Sequence, residues 1–387
     1  MSFVFIAKFL TESDYGGYTY IMMILSLVPM IQFGSVHGTA ILLPKFIVKE
    51  NKSENTLFVY SNYISHFLQF IAFVVVFFVD LGLSNFDTFI IGFNFFVFLF
   101  SDNSIKYLNA KHDFQQANII NAVNQISRPV LVLVLFFQYK TISSIFIGHL
   151  IVSLITLIFA IKLVKVKKVE FKKVEFKIFF KSIYKIGFFV YLTWTIDIVF
   201  RTADRWFISF YYSLEELALY GFTSSLSLNV WLVAMSFFVP YTQVLYRNVA
   251  ENKFIDVKLL IKSTNKKLYL LLLILSVLAF VFYPLLLEFI VKKYFDSEFL
   301  FYVLIISSIM LAINNMYIYY MISNNHHFVL LKYQCIVLIL NLLLNSIFVY
   351  YHLDIIYYAY STIFTLGVYF LLVRRFTNLD LKKKINI

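Results

Sequence analysis

A single cysteine, Cys335, stands in 387 residues, and its place inside an apolar run excludes a disulfide framework and any cysteine-based metal site. Charge is scarce as well: Asp, Glu, Lys and Arg make up 14% of the chain against 61% hydrophobic residues. That leaves too little polar surface to cover a water-soluble globule, so the chain reads as an all-α polytopic membrane protein. No connection between apolar runs exceeds about 30 residues, which excludes an extramembrane catalytic domain. A glycine-rich phosphate loop, a nucleophile elbow and an acidic pair on an extramembrane loop are all missing. His37, His66, His326 and His327 have no Cys, Asp or Glu at metal-ligand spacing, and no cofactor is expected. Met1 to Leu10 is an apolar decapeptide containing Lys8, without a basic leader or a small-residue cleavage site.

What the chain does contain is long apolar runs. Runs near 20 residues predict helices at 18–36, 57–79, 88–108, 117–137, 142–163, 183–212, 217–239, 267–287, 299–322, 328–350 and 355–373. With the fragment 1–10 these make twelve nominal spans, although the fragment itself is too short to cross a bilayer. The 47 Phe and 28 Tyr read as lipid-facing and interface residues rather than a sugar-stacking site.

Basic residues alternate between connections. Lys45, Lys49 and Lys52, the nine lysines from Lys162 to Lys185, six basic residues from Arg247 to Lys267, and Arg374, Arg375 and Lys382 to Lys384 fall on one side. The opposite connections hold only Lys140, Lys292 and Lys293 and carry acids such as Glu12, Asp14, Glu215 and Glu216. The positive-inside rule then places both termini in the cytoplasm and gives the net charge of +12 to anionic headgroups rather than to nucleic acid.

The two halves repeat. Phe9-Leu-Thr-Glu-Ser-Asp-Tyr-Gly-Gly-Tyr18 is similar to Tyr212-Ser-Leu-Glu-Glu-Leu-Ala-Leu-Tyr-Gly-Phe222, and Lys49-Glu-Asn-Lys52 to Ala250-Glu-Asn-Lys253. Six helices separate the copies, an even number, so the repeat is parallel. The expected organisation is a six-helix lobe over 1–163, a Lys-rich connector over 164–182 and a second six-helix lobe over 183–387. The partner of the fragment 1–10 is the full helix 183–212, so the first helix is expected to be incomplete by about 20 residues.

Ile183 to Tyr212 carries the charges that matter most. Asp197, Arg201, Asp204 and Arg205 fall within roughly a 100° arc of one helical face. Exposed to lipid, four such residues would cost about 10 kcal/mol or more, so this face must look into protein or a watery cavity. Asp197 and Arg201, at i and i+4, are able to pair. A second stripe, Asn118, Asn121, Asn124, Gln125 and Arg128, precedes Pro129, which should weaken the local ladder. Asn62, Ser65, His66 and Gln69 make a third stripe, and Gln334, Asn341 and Asn345 share a side. Interhelical hydrogen bonding accounts for isolated Asn and Gln residues, but glue does not require a permanent cation. A cavity holding Arg128, Arg201 and Arg205 favours an anion, and the planar guanidinium fork suits phosphate. Asp197 and Asp204 are either counter-ions for the arginines or groups coupled to a proton or sodium ion.

Phe5-Ile-Ala-Lys-Phe-Leu-Thr-Glu-Ser-Asp-Tyr-Gly16, Asp204-Arg-Trp-Phe-Ile208 with Tyr220-Gly221, and Val239-Pro-Tyr-Thr-Gln-Val-Leu-Tyr246 occur in an order that resembles one family across nearly the whole chain. It is the polysaccharide-transporter branch, the Wzx-type O-antigen and capsule repeat-unit flippases, of the multidrug/oligosaccharidyl-lipid/polysaccharide exporter superfamily. The resemblance implies two six-helix bundles around a central, often cationic cavity. It also implies an undecaprenyl-pyrophosphate-linked oligosaccharide as substrate, moved across a bacterial inner membrane by alternating access, with no covalent chemistry. Membrane lipids are expected partners of a monomer, with a polysaccharide polymerase and a chain-length regulator as companions in lipopolysaccharide or capsule biosynthesis. Arg128, Arg201, Arg205, Asn118, Asn121 and Gln125 are the substrate-binding candidates. The competing readings are a multidrug or cation exporter of the same superfamily, which needs an acidic cavity, and a membrane-embedded polymerase or glycosyltransferase, which usually needs a long external loop or a catalytic domain.

Overall fold

The computed structural model describes residues 2–27, 30, 33–35, 38–39, 42–43, 54–78, 84–111, 113–165 and 172–385. Among them the secondary structure is helical throughout: α1 Ser2–Phe9, α2 Glu12–Leu27, α3 Glu54–Phe78, α4 Asn85–Ala110, α5 Phe114–Tyr139, α6 Ile142–Val164, α7 Lys173–Tyr211, α8 Leu214–Ala250, α9 Phe254–Phe289, a 3-10 turn Lys292–Ser297, α10 Glu298–Ser323, α11 His327–Tyr350 and α12 Ile356–Ile385. Nine of the described helices are long and apolar enough to cross a membrane, or ten if α7, bent by 45° near residue 186, counts as one span. This is the expected all-α polytopic architecture. The eight residues of α1 and the sixteen of α2 fall short of a span, and the expected helix 18–36 runs partly outside the described residues.

Several helices outrun the apolar stretches that announce them. α7 begins at Lys173 rather than 183, α8 continues to Ala250 rather than 239, α9 begins at Phe254 rather than 267, and α12 continues to Ile385 rather than 373. The extensions of α7, α9 and α12 are rich in lysine, a good helix former that costs nothing once it stands in water or among headgroups. Apolar content marks the part of a helix that lies in lipid, whereas backbone hydrogen bonding continues past it. α5 runs on through Pro129, as α8 does through Pro240 and α9 through Pro284.

The chain folds as two compact units, one of residues 1–10 and 21–195 and one of residues 11–20 and 196–387. The first unit packs α4 and α5 against α6, with Phe58, Tyr107, Ile120 and Ile183 in its core. Phe5 and Phe9 of α1 set their rings edge-on to Phe137 of α5. The stripe on α3 works as interhelical glue: Asn103 Nδ2 donates to Asn62 Oδ1 at 3.1 Å and Ser65 lies 3.0 Å from Ser35.

The second unit packs α8 and α12 against α10, around Ala234, Phe238, Leu268, Met316 and Val373. Thr11 to Tyr18 of the first repeated motif and its copy Tyr212 to Phe222 lie here, both at helix starts, whereas Lys49 to Lys52 of the other repeat lies outside the described residues. Thr11 Oγ1 accepts the Asp14 backbone N–H at 3.1 Å, and Ser213 Oγ accepts that of Glu216 at 3.2 Å, with the Glu216 carboxylate taking the Ser213 N–H in return. The glycine that follows each tyrosine permits close backbone approach. A Cβ on Gly16 would stand 2.0 Å from the Leu214 carbonyl oxygen, and one on Gly221 would stand 2.5 Å from the Thr19 methyl.

Candidate functional site

The charged face of α7 begins with an ion pair. Arg201 Nη2 donates to Asp197 Oδ2 at 2.7 Å, the i, i+4 pairing that the spacing allowed, and the guanidinium stacks over Trp231 of α8 at 5.1 Å. Asp204, two turns further on, meets a different environment. Its carboxylate is buried and accepts Tyr220 Oη at 2.6 Å, Thr362 Oγ1 at 2.7 Å and, at the long distance of 3.5 Å, Asn345 Nδ2. Every one of these donors is neutral. Asn345 in turn donates to Asn341 Oδ1 at 3.1 Å, Ser361 donates to Asn345 Oδ1 at 2.7 Å, and Asn341 donates to Ser361 Oγ at 2.9 Å. Side chains from α7, α8, α11 and α12 thus form one continuous hydrogen-bonded network, fully enclosed by the second unit.

Arg201, Asp204 and Arg205 share the wall of a cavity with Tyr220, Ser224, Ser227, Ser307 and Thr362. Only about 30 Å³ of it is open to a water-sized sphere, enough for water and far too little for a saccharide. The serines give their own protons to backbone carbonyls one turn back, Ser224 to Gly221, Ser227 to Ser224 and Ser307 to Leu304. What they present to the cavity is therefore lone pairs, which suits guanidinium donors. Arg205 makes no ion pair within 4.0 Å among the described residues, although it neighbours Asp204 in sequence.

Arg128 stands in the first unit. Its guanidinium lies over the Phe98 ring at 5.4 Å, its Nε is buried without a hydrogen-bond partner, and it too has no ion pair among the described residues. Asn118, Asn121 and Gln125 are exposed on the surface of α5, whereas Asn124, one turn before Arg128, is buried with an unpartnered Oδ1. The expected stripe therefore splits into an exposed row, Asn118, Asn121 and Gln125, and the more buried Asn124 and Arg128.

Sequence reasoning grouped Asn341 with Asn345 and quoted Tyr220 as part of a Tyr-Gly motif, but it did not bring any of them to Asp204. Ser361, Thr362 and Thr365 were not singled out, although hydroxyls at i, i+1 and i+4 already marked one polar side of α12. Gln334 keeps a buried Oε1 without a partner, outside the network. His37 lies outside the described residues, and among the described residues no cluster of three His, Cys, Asp or Glu side chains could hold a metal.

No protein-family model and no curated protein matches this sequence. Solved structures do match its fold. An inward-facing multidrug resistance MATE family transporter of the MOP superfamily superposes with a TM-score of 0.72 at 13% identity, covering 99% of this chain and 94% of that one. The lipid II flippase MurJ in an inward closed conformation gives 0.76 at 15% identity, covering 96% and 83%. A MOP superfamily transporter from Pyrococcus furiosus gives 0.64 at 12% identity, covering 99% and 91%. At these identities the likeness is one of architecture: the chain has the fold shared by MATE transporters and the MurJ flippase.

Proposed function

We propose that the chain is a transporter that moves an anionic lipid-linked substrate across a bacterial inner membrane by alternating access, the substrate being an oligosaccharide repeat unit on undecaprenyl pyrophosphate. One observation carries this reading. Of the helix-embedded charges at Arg128, Asp197, Arg201, Asp204 and Arg205, Asp197 and Arg201 form an ion pair, Asp204 lies close enough to Arg205 to feel its charge without pairing, and Arg128 has no ion pair among the described residues, so three cations stand against two anions. A permanent cation held at membrane depth without a counter-ion is costly, and an arriving pyrophosphate supplies the missing charge. The fold is compatible with either polarity of cargo, since multidrug transporters and a lipid II flippase share it and the P. furiosus protein is described by a binding pocket of reverse polarity suggesting a different function. The sign of the helix-embedded charge is what separates the readings, and here three arginines stand against two aspartates. Both termini then stand in the cytoplasm by the distribution of lysines, and no covalent step is needed.

Asp204 supports a further assignment within the same reading. Its hydrogen-bond donors are neutral, and the charge of Arg205 reaches it without a direct ion pair. A buried carboxylate whose partners are hydroxyls and amides can take up a proton or a small cation and pass the change to α8, α11 and α12, which is the role of a coupling group. Asp197, committed to Arg201, holds that arginine in place.

The test is complementation of a bacterium lacking its repeat-unit flippase, with the amount of protein in the membrane measured in parallel. Arg205→Ala and Arg128→Ala are expected to abolish rescue at unchanged membrane levels, and Arg→Lys at either position to retain part of it. Full rescue by both alanine variants would overturn the anionic-substrate reading.

A further inference from the structure

α9 is longer than a bilayer requires. Its 36 residues extend over about 54 Å, against roughly 30 Å of hydrocarbon. Its charge pattern shows which end protrudes: no Asp, Glu, Lys or Arg occurs from Leu268 to Leu287, whereas Asp256, Lys258, Lys262, Lys266 and Lys267 crowd the turns before it. Lys266 and Lys267 therefore mark the edge of the hydrocarbon, and the turns from Phe254 to Asn265 stand in the headgroup layer and beyond it.

At this level a cleft of about 760 Å³ opens between α9 and the last turn of α8, lined by Asn248 of α8 and by Leu259, Lys262, Ser263, Lys266 and Tyr269 of α9. The five α9 positions fall within roughly 120° of one helical face. Lys262 and Lys266 are exposed and form no ion pair among the described residues, while the neighbouring Lys267 turns to the Tyr241 hydroxyl at 3.4 Å. Asp256 also borders the cleft, but at its watery end, about 15 Å along the axis from Lys266. Towards the membrane the same face continues as Leu270, Leu273 and Val277, which are 61%, 62% and 55% exposed. Two free ammonium groups at headgroup height, an interface tyrosine and an exposed apolar stripe directly beneath them match the three parts of one molecule.

We propose that this cleft binds an anionic phospholipid of the surrounding bilayer, its phosphodiester on Lys262 and Lys266, its glycerol beside Tyr269 and an acyl chain along Leu270, Leu273 and Val277. The lysines supply charge complementarity, and the stripe supplies a chain-length surface that a soluble phosphate could not use. The site involves neither Arg128 nor the α7 charges, so it stands or falls separately from the transport reading.

The experiment is native mass spectrometry of the purified chain in detergent, titrated with phosphatidylglycerol. The expected result is tighter binding of phosphatidylglycerol than of phosphatidylcholine, weakened about 30-fold in the double variant K262Q/K266Q, from the worth of two lysines beside an anionic headgroup. The double variant R374Q/R375Q removes the same charge from α12 and is expected to bind phosphatidylglycerol as the unaltered chain does. Should K262Q/K266Q fail to purify, K262R/K266R keeps the charge and is expected to retain binding. Unchanged binding by K262Q/K266Q, an equal loss in R374Q/R375Q, a loss in K262R/K266R, or displacement of phosphatidylglycerol by equimolar inorganic pyrophosphate would each overturn the proposal.

Discussion

Asp197 and Asp204 are the same residue type on the same helix, two turns apart, and the fold treats them oppositely. Asp197 is answered by a cation one turn along its own helix and keeps part of its side chain exposed. Asp204 is answered by a tyrosine, a threonine and an asparagine from three other helices and is buried. The first arrangement needs only α7 to be helical. The second needs α8, α11 and α12 to arrive in register. A carboxylate's role in a membrane protein is thus set by whether its partner is local and charged or distant and neutral.

The largest effect should come from deleting the carboxylate that the tertiary structure surrounds. Asp204→Ala leaves three buried donors unanswered and should lower stability in detergent by about 3 kcal/mol or more, read as a drop in thermal midpoint. Asp197→Ala, at a half-exposed pair, should cost about 1 kcal/mol. Equal losses would erase the contrast.

Next comes the packing that brings Tyr220 to Asp204. Gly221→Ala pushes a methyl against Thr19 and should cost about 2 kcal/mol by overpacking, whereas Gly17→Ala meets nothing within 4 Å and should be neutral or stabilise α2 by up to about 1 kcal/mol. A Gly221 variant as stable as the Gly17 variant would mean that α8 can yield at this contact.

A double-mutant cycle measures the coupling itself. Tyr220→Phe combined with Asp204→Asn should show a coupling of about 1 to 2 kcal/mol, while Tyr220→Phe combined with Asp197→Asn should be additive within about 0.5 kcal/mol. Coupling to Asp197 of the same size would join the two acids into one network.

The smallest effect belongs to a third carboxylate, outside the membrane. Arg247 and Lys253 hold Glu251 at about 2, below its ordinary 4.5. Because its folded value is depressed, its contribution is present above pH 4.5 and is lost as pH falls towards 2. It is solvent-exposed, so Glu251→Gln should leave the thermal midpoint nearly unchanged at pH 7, and the small difference should vanish by about pH 2. A difference that grew on acidification would contradict the ion pair.

The spans of α3 to α6, α8, α10 and α11 were readable because each is an apolar run bounded by polar residues, and bilayer thickness converts such a run into a helix. The ends of α7, α8, α9 and α12 were not readable by that route, since polar, mostly basic helix continues where hydropathy stops. The repeated Thr11-to-Gly16 and Ser213-to-Gly221 segments were visible as a resemblance. Their physical content, two capped helix starts each followed by a glycine at a close contact, belongs to the tertiary structure. Within the site, the Asp197 and Arg201 pairing could be read directly from its i, i+4 spacing. The three donors to Asp204 lie 16, 141 and 158 residues away in the chain, and no local period connects them.

Sequence alone therefore determined that the chain is helical, that it belongs in a membrane, that the charges of α7 share one face, and that one pair on it could close. These properties depend on hydrophobic transfer and on helical spacing, both of which act over a few residues. Tertiary packing alone decided that Asp204 would be hydrogen-bonded by neutral donors, that neither Arg205 nor Arg128 would close an ion pair among the described residues, and that Asn118, Asn121 and Gln125 would be exposed while Asn124 was buried. Those outcomes depend on which helices become neighbours, and a buried polar group is satisfied by whatever the neighbouring helix presents at its height.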